Sequence, residues 1–193
     1  MLWTIGVDEA GRGPLAGPVA VGVFAVPLNF DRTYLTGIRD SKKLSERQRE
    51  EWYTHITASS LARWSVALVG STHIDAHGIV DAIRTAMSRA LAHLELDPSE
   101  CVVLLDGGLS APCAYLNQTT IIRGDASEPF ISAAALLAKV TRDKYMRTQC
   151  LKYPEYGFSV HKGYGTAAHI HAVQAHGLCK LHRVSFCRRL LTS

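Results

Sequence analysis

The sequence lacks any apolar run long enough to cross a bilayer: the longest early one, Pro18 to Leu28, falls short of the roughly 20 residues that a membrane helix needs. No basic segment followed by an apolar one precedes the first strand-like stretch, so no secretory leader is read and a cytoplasmic location is expected. The five cysteines (Cys101, Cys113, Cys150, Cys179 and Cys187) are odd in number and include no C-x-x-C pair. That pattern argues against a disulfide framework, and reduced thiols are expected. Nor is there an internal repeat, low-complexity tract or linker, which excludes solenoids and leaves one domain over residues 1–193 as the expectation.

What is present is an ordinary globular composition, 47% hydrophobic and 20% charged. Such a chain can bury a full core, unlike a disordered tail. The net charge of +4 is compatible with a polyanionic partner without identifying one.

Leu2 to Val7 and Pro18 to Val26 are β-branched, apolar stretches separated by a Gly- and Pro-rich turn, and they predict two neighbouring strands. Ser45 and Gln48 stand at capping-box spacing, which predicts a helix from about Glu46 to Ser60. Arg63 to Val69 reads as a strand. Ile79, Ala82, Ile83, Ala86, Ala90, Leu91 and Leu94 then recur at helical spacing on one face. Cys101 to Leu105 reads as a strand buried on both faces and ends at Asp106; Thr119 to Ile122 reads as another, ending shortly before Asp125. Pro129 suits a first helical turn and opens a helix running to about Gln149. Thr166 to His176, stopped by Gly177, supplies the last. Strands alternating with helices define the α/β class with a mixed sheet.

Asp8, Glu9, Asp106 and Asp125 thus fall at or just past the carboxyl ends of predicted strands, where open α/β sheets place their sites. Asp8 and Glu9 would face opposite ways in a continuing strand, and Gly11 and Gly13 allow a turn that brings both to one centre. Four carboxylates gathered together resist ionisation unless a positive charge lies among them. Oxygen ligands favour hard ions such as Mg²⁺ or Mn²⁺, and two of these about 4 Å apart can clamp the attacking and leaving oxygens of a phosphodiester. Acidic residues also end strands simply as turn formers, so the carboxylates alone do not decide.

The string Gly6-Val-Asp8-Glu9-Ala-Gly11-Arg12-Gly13-Pro-Leu-Ala-Gly17-Pro18 closely resembles the opening signature of the ribonuclease HII family. Further matches follow in order: Asp40 to Leu44 with Lys42 and Lys43, Asp106-Gly107, Arg123-Gly124-Asp125, Ser132 to Asp143, Tyr156 to Phe158, His161 to Thr166, and His182 to Phe186. The resemblance implies a ribonuclease H-like fold, with a central mixed β-sheet flanked by helices and a helical C-terminal part over about 150–193. It implies an endoribonuclease in which Asp8, Glu9, Asp106 and Asp125 are catalytic and hold two divalent ions, Mn²⁺ or Mg²⁺. The substrates implied are RNA–DNA hybrids and duplex DNA with embedded ribonucleotides. The resemblance also implies a cut 5′ of the ribonucleotide that leaves 3′-hydroxyl and 5′-phosphate ends.

By the same resemblance, Gly11-Arg12-Gly13 reads the sugar. A 2′-hydroxyl both donates and accepts hydrogen bonds, so backbone brought close by glycines can recognise it without reading a base. Arg12 can grip a phosphate. Tyr164 matches the tyrosine that packs on the deoxyribose past the ribonucleotide, although a tyrosine there also suits a core edge. Lys42, Lys43, His161 and Lys162 match backbone-phosphate contacts, a role that solvated surface lysines commonly mimic.

His176, Cys179, His182 and Cys187 are spaced faintly like a zinc site but lack a paired-cysteine knuckle. Asp143, well along a helix, reads as a salt-bridging residue. Ala135 stands where the family often has serine, and only a packing effect is expected. No obligate protein partner and no membrane association are expected. Two alternatives stay open on the residues alone: another nuclease or strand-transfer enzyme of the same fold, and a non-catalytic nucleic-acid binder.

Overall fold

The structure, a computed structural model, describes residues 2–38 and 44–190. Its centre is a mixed five-stranded sheet. β1 (Trp3–Ala10) pairs antiparallel with β2 (Val19–Pro27), which pairs antiparallel with β3 (Arg63–Val69). On the other side of β1, β4 (Cys101–Asp106) and β5 (Asn117–Ile121) add in parallel, giving the order β3-β2-β1-β4-β5. The helices in chain order are α1 (Glu46–Thr57), α2 (Ser71–His77), α3 (Ile79–Ala92), α4 (Gly124–Ser127), α5 (Pro129–Cys150), α6 (Phe158–His161), α7 (Ala167–His176) and α8 (Val184–Cys187).

Local chemistry accounts for the helix ends. Ser45 accepts from the Gln48 amide while the Gln48 side chain accepts from the Ser45 amide, so two otherwise orphaned donors are satisfied at the start of α1. Pro129 occupies the first turn of α5, where its missing N–H has no intrahelical partner to lose. Thr166 caps α7 by accepting from the His169 amide at 3.3 Å. The segment Ser71–His77, which carries no apolar periodicity, forms α2, a helix the sequence pattern did not predict.

The two faces of the sheet bury different helices. Ile5, Val7, Val21, Val23 and Val103 pack with Ala82, Ile83, Met87 and Leu91 of α3. On the opposite face Phe24 and Val26 pack with Phe130, Ala133, Leu136 and Leu137 of α5. Glycines let α5 lie directly on the strands: a Cβ on Gly6 would sit 2.1 Å from the Phe130 carbonyl oxygen, and one on Gly22 would sit 2.3 Å from that of Ala134. No side chain fits there. Contrary to the expectation of a strand buried on both faces, β4 alternates between buried and half-buried positions. A third cluster, with Ala16, Met146, Tyr156, Phe158 and Val173, carries the C-terminal helical region beside the far end of α5. No helix among the described residues is long and apolar enough to cross a membrane.

Candidate active site

Parallel pairing aligns two of the carboxylates. Trp3 lies opposite Cys101 and Val7 opposite Leu105, and the next step in that register sets Asp8 beside Asp106. Asp125 arrives from the next connection: β5 ends at Ile121, Arg123 takes a left-handed φ of 55°, and Asp125 enters the first turn of α4. Its amide donates to Asp106 Oδ1 at 3.4 Å, and the Ser132 hydroxyl of α5 donates to its carbonyl at 2.7 Å.

Glu9 joins the group without the turn that the sequence suggested. β1 continues through Ala10, so neither acidic residue leaves the strand. Ile5 and Val7 face α3 while Gly6 faces α5, so alternation puts Asp8 on the α5 side and Glu9 on the α3 side. The cleft spans the end of the strand, and both side chains line it.

This cleft has a volume of about 390 Å³ and is walled by Asp8, Glu9, Asp125, the segment Gly11 to Gly13, Arg49, Ala135, Lys139 and Tyr164. Burial, followed by the negative charges of Glu9, Asp106 and Asp125, pushes the Asp8 carboxyl up to about 8, although the Glu9 amide donates to it at 2.7 Å. Burial also raises Glu9, whereas the Arg12 guanidinium 3.4 Å away acts in the opposite direction. Among the described residues no three His, Cys, Asp or Glu side chains are arranged to hold a metal ion. The donor chemistry nonetheless fits a divalent cation: four neighbouring carboxylates supply only hard oxygen ligands, and burial together with the other negative charges keeps Asp8 from ionising readily.

The loop from Gly11 to Pro18 is held from below by two fully buried arginines. Arg183 donates to the carbonyls of Gly11 at 2.7 Å, Arg12 at 2.9 Å and Gly17 at 3.0 Å. Arg142 donates to those of Pro18 at 2.8 Å and Ala16 at 3.2 Å. Burial and the neighbouring Arg142 lower Arg183 to about 10, which still leaves it charged at neutral pH. Gly11 has a φ of 85°, and a Cβ there would lie 2.0 Å from Arg142 Nε. At Gly13, by contrast, a Cβ would meet nothing within 4 Å.

Tyr164 is exposed at the cleft, its ring centre 5.7 Å from both Lys139 Nζ and Arg142 Cζ. Its turn is bonded to the glycine loop, because the Leu15 amide donates to the Gly163 carbonyl at 2.9 Å. Two other expected substrate contacts have partners inside the protein. His161 is buried, with Nδ1 accepting from the Gly163 amide and Nε2 bonded to the Tyr156 carbonyl. Lys162 is buried too, with its ammonium on the Ser159 carbonyl, and neither residue lines the cleft. Lys42 and Lys43 lie outside the described residues.

Sequence reasoning passed over Arg49, Lys139 and the two buried arginines. Lys139 and Arg142 stand inside the matched Ser132 to Asp143 segment, and that position was the available signal. Asp143 pairs with Lys139 at 3.0 Å, as a salt-bridging residue should. Ala135, for which only a packing effect was expected, lines the cleft.

The family model for ribonuclease HII matches residues 5–189. The ribonuclease HII of Caldicellulosiruptor bescii is 45% identical over 188 residues, which is 97% of this chain and 87% of that one. Among solved structures, ribonuclease H2 from Pyrococcus horikoshii superposes with a TM-score of 0.74 at 25% identity, covering 98% of this chain and 97% of that one. Bst-RNase HIII in complex with Mn²⁺ superposes at 0.76 with 17% identity, covering 99% and 70%, and bears on the fold alone. Sheet order and flanking helices define an α/β protein of the ribonuclease H fold. Within that class, the chain belongs to the ribonuclease HII family and is a metal-dependent nuclease, a hydrolase.

Proposed function

We propose that this nuclease hydrolyses the RNA strand of RNA–DNA hybrids and incises duplex DNA on the 5′ side of a single embedded ribonucleotide, leaving 3′-hydroxyl and 5′-phosphate ends. The observation that carries this reading is that Asp8, Glu9 and Asp125 share one cleft with Gly11 to Gly13, while Asp106 lies beside Asp8 in the β1–β4 register. Acidic chemistry and the uncrowded main chain at Gly13 therefore meet in one place.

In this reading Asp8, Glu9, Asp106 and Asp125 hold two divalent cations, Mn²⁺ or Mg²⁺. Such ions supply charge neutralisation at the attacking and leaving oxygens of an in-line displacement. Gly11 and Gly13 present main chain to the 2′-hydroxyl, since an amide and a carbonyl can answer its donor and acceptor together. Arg12, Arg49 and Lys139 offer positive charge to the backbone phosphates at the wall of the cleft. Tyr164 places its ring against the sugar one nucleotide further on, where a hydrogen fits and a hydroxyl collides. RNA-to-DNA junctions are favoured as a result.

A cleavage map on a duplex with one ribonucleotide tests the reading, run with Mg²⁺, with Mn²⁺ and with EDTA. One cut immediately 5′ of the ribonucleotide, lost in EDTA, is the expected result. Cutting at several positions, or an identical product with all-DNA duplex, would sink it.

A further inference from the structure

Behind Tyr164 lies a chain of buried imidazoles that no role in the cleft accounts for. His169 is fully buried and His182 nearly so. His161 stacks on His169 with ring centres 4.3 Å apart, and Tyr156 and Phe158 close the group. Three hydrogen bonds link the series. The Cys179 amide donates to His182 Nδ1 at 3.0 Å, His182 Nε2 meets His169 Nε2 at 3.1 Å, and His169 Nδ1 meets the Tyr164 carbonyl at 2.9 Å.

Only one proton arrangement satisfies all three contacts. An amide N–H can only donate, so His182 Nδ1 is bare and its proton sits on Nε2. A carbonyl can only accept, so His169 carries its proton on Nδ1 and its Nε2 is the acceptor for His182. A second proton on either ring would set N–H against N–H. Both rings are therefore neutral, and burial agrees by lowering His182 to about 4 and His169 in the same direction.

We infer that His182 and His169 form a fixed-tautomer relay that positions the Tyr164 main chain, which makes His169 a positioning residue for discrimination between junction and uniform hybrid. The inference rests on the proposed sugar contact of Tyr164. The Tyr164 carbonyl takes a second bond from the Thr166 amide at 2.8 Å, and the Tyr164 amide donates to the His161 carbonyl at 2.9 Å. The main chain of this exposed residue is thus held at three points, one of them a side chain that leads into the interior. A ring that must contact a sugar has little tolerance for error, since a misplacement of about 1 Å can cost on the order of a hundredfold in rate.

The test is the ratio of kcat/KM on a singly ribo-substituted duplex to that on a uniform RNA–DNA hybrid. In His169→Phe, which fills the space without donating, the ratio falls roughly tenfold. In His169→Asn, whose side-chain amide can place an N–H where Nδ1 stood, it returns to within about twofold of wild type. A folded His169→Phe that keeps the wild-type ratio while Tyr164→Ala loses it overturns the relay alone. An unchanged ratio in Tyr164→Ala overturns the sugar contact and the relay together. Imidazole ¹⁵N spectra of the wild-type protein decide the protonation without any variant. The expected forms near neutral pH are Nε2–H for His182 and Nδ1–H for His169, and the opposite tautomer or an imidazolium at either ring refutes the proposal.

Discussion

Arg183 Nη2 donates to the carbonyl of Gly11 at 2.7 Å, joining residues 172 apart in sequence. The same guanidinium reaches the carbonyls of Arg12 and Gly17, so one side chain from the C-terminal region ties three points of the glycine loop, while Arg142 holds Ala16 and Pro18. A lysine ammonium has no planar fork to span those three acceptors. Arg183→Met should cost on the order of 3 kcal/mol, because three carbonyls, two of them in buried bonds, lose a charged donor, and Arg183→Lys should fall between it and wild type. Urea unfolding measures both. Wild-type stability in Arg183→Met would mean that the loop is held by other contacts.

The two glycines of the Gly-Arg-Gly segment should separate folding from activity. Gly11 combines a φ of 85° with the Arg142 guanidinium 2.0 Å from where its Cβ would be. Gly11→Ala therefore loses stability. Gly13 faces open space, so Gly13→Ala should keep the wild-type melting temperature while cleavage drops by roughly a hundredfold, because the methyl group enters the volume proposed for the sugar. Full activity in Gly13→Ala would remove the segment from sugar reading.

Asp8 sets stability against activity. Its carboxyl titrates near 8 in the folded chain and near 3.8 ordinarily, so the folded state holds a proton that the unfolded state releases. This group costs nothing below 3.8, and stability declines as pH rises toward 8. In EDTA, Asp8→Asn should melt higher than wild type at the alkaline end of that window and alike at the acid end. Cleavage should be lost throughout, as it should be in a normally folded Asp106→Asn, since a neutral amide is a poor ligand for a hard cation. A melting difference independent of pH would refute the assignment.

Acid should act through the imidazoles in the opposite sense. His182, facing His169, Tyr156, Phe158 and the Cys179 amide, titrates near 4 when folded and near 6.5 ordinarily. The unfolded chain takes up the proton first, so stability falls as pH drops from 6.5 toward 4. A His182→Asn variant, whose side-chain oxygen can still accept from Cys179, should show a shallower decline. An equal slope in both proteins would place the acid sensitivity elsewhere.

Where the controlling physics was local, the sequence was informative. Ser45 and Gln48 announce the start of α1, and apolar spacing from Ile79 announces α3. Asp8 and Asp106 were legible because each directly follows an apolar run, and parallel register then sets them side by side. The α2 segment has no such pattern, as its helix is stabilised by tertiary contacts such as the Ser71 hydroxyl on the Lys180 carbonyl at 2.9 Å.

Long-range contacts hid the rest. Nothing near Arg183 in the chain says that it will be buried, because its acceptors are carbonyls of a loop at the other end. His161 and Lys162 look like phosphate ligands from residue type alone, yet the turn at Gly163, whose Cβ would lie 2.3 Å from the Ala16 carbonyl oxygen, draws both into the interior. Arg123 gave no hint of its left-handed backbone, which is what delivers Asp125 to Asp106.

The bond from the Leu15 amide to the Gly163 carbonyl gives the enzyme a gauge. One jaw is the glycine loop and the other is the tyrosine turn, and their separation is set before any nucleic acid arrives. Under the proposed function, a strand whose sugars are spaced differently would satisfy one jaw but not both. On that proposal, accuracy in choosing the bond to cut would be built into the fold and independent of the bases that happen to pass through it.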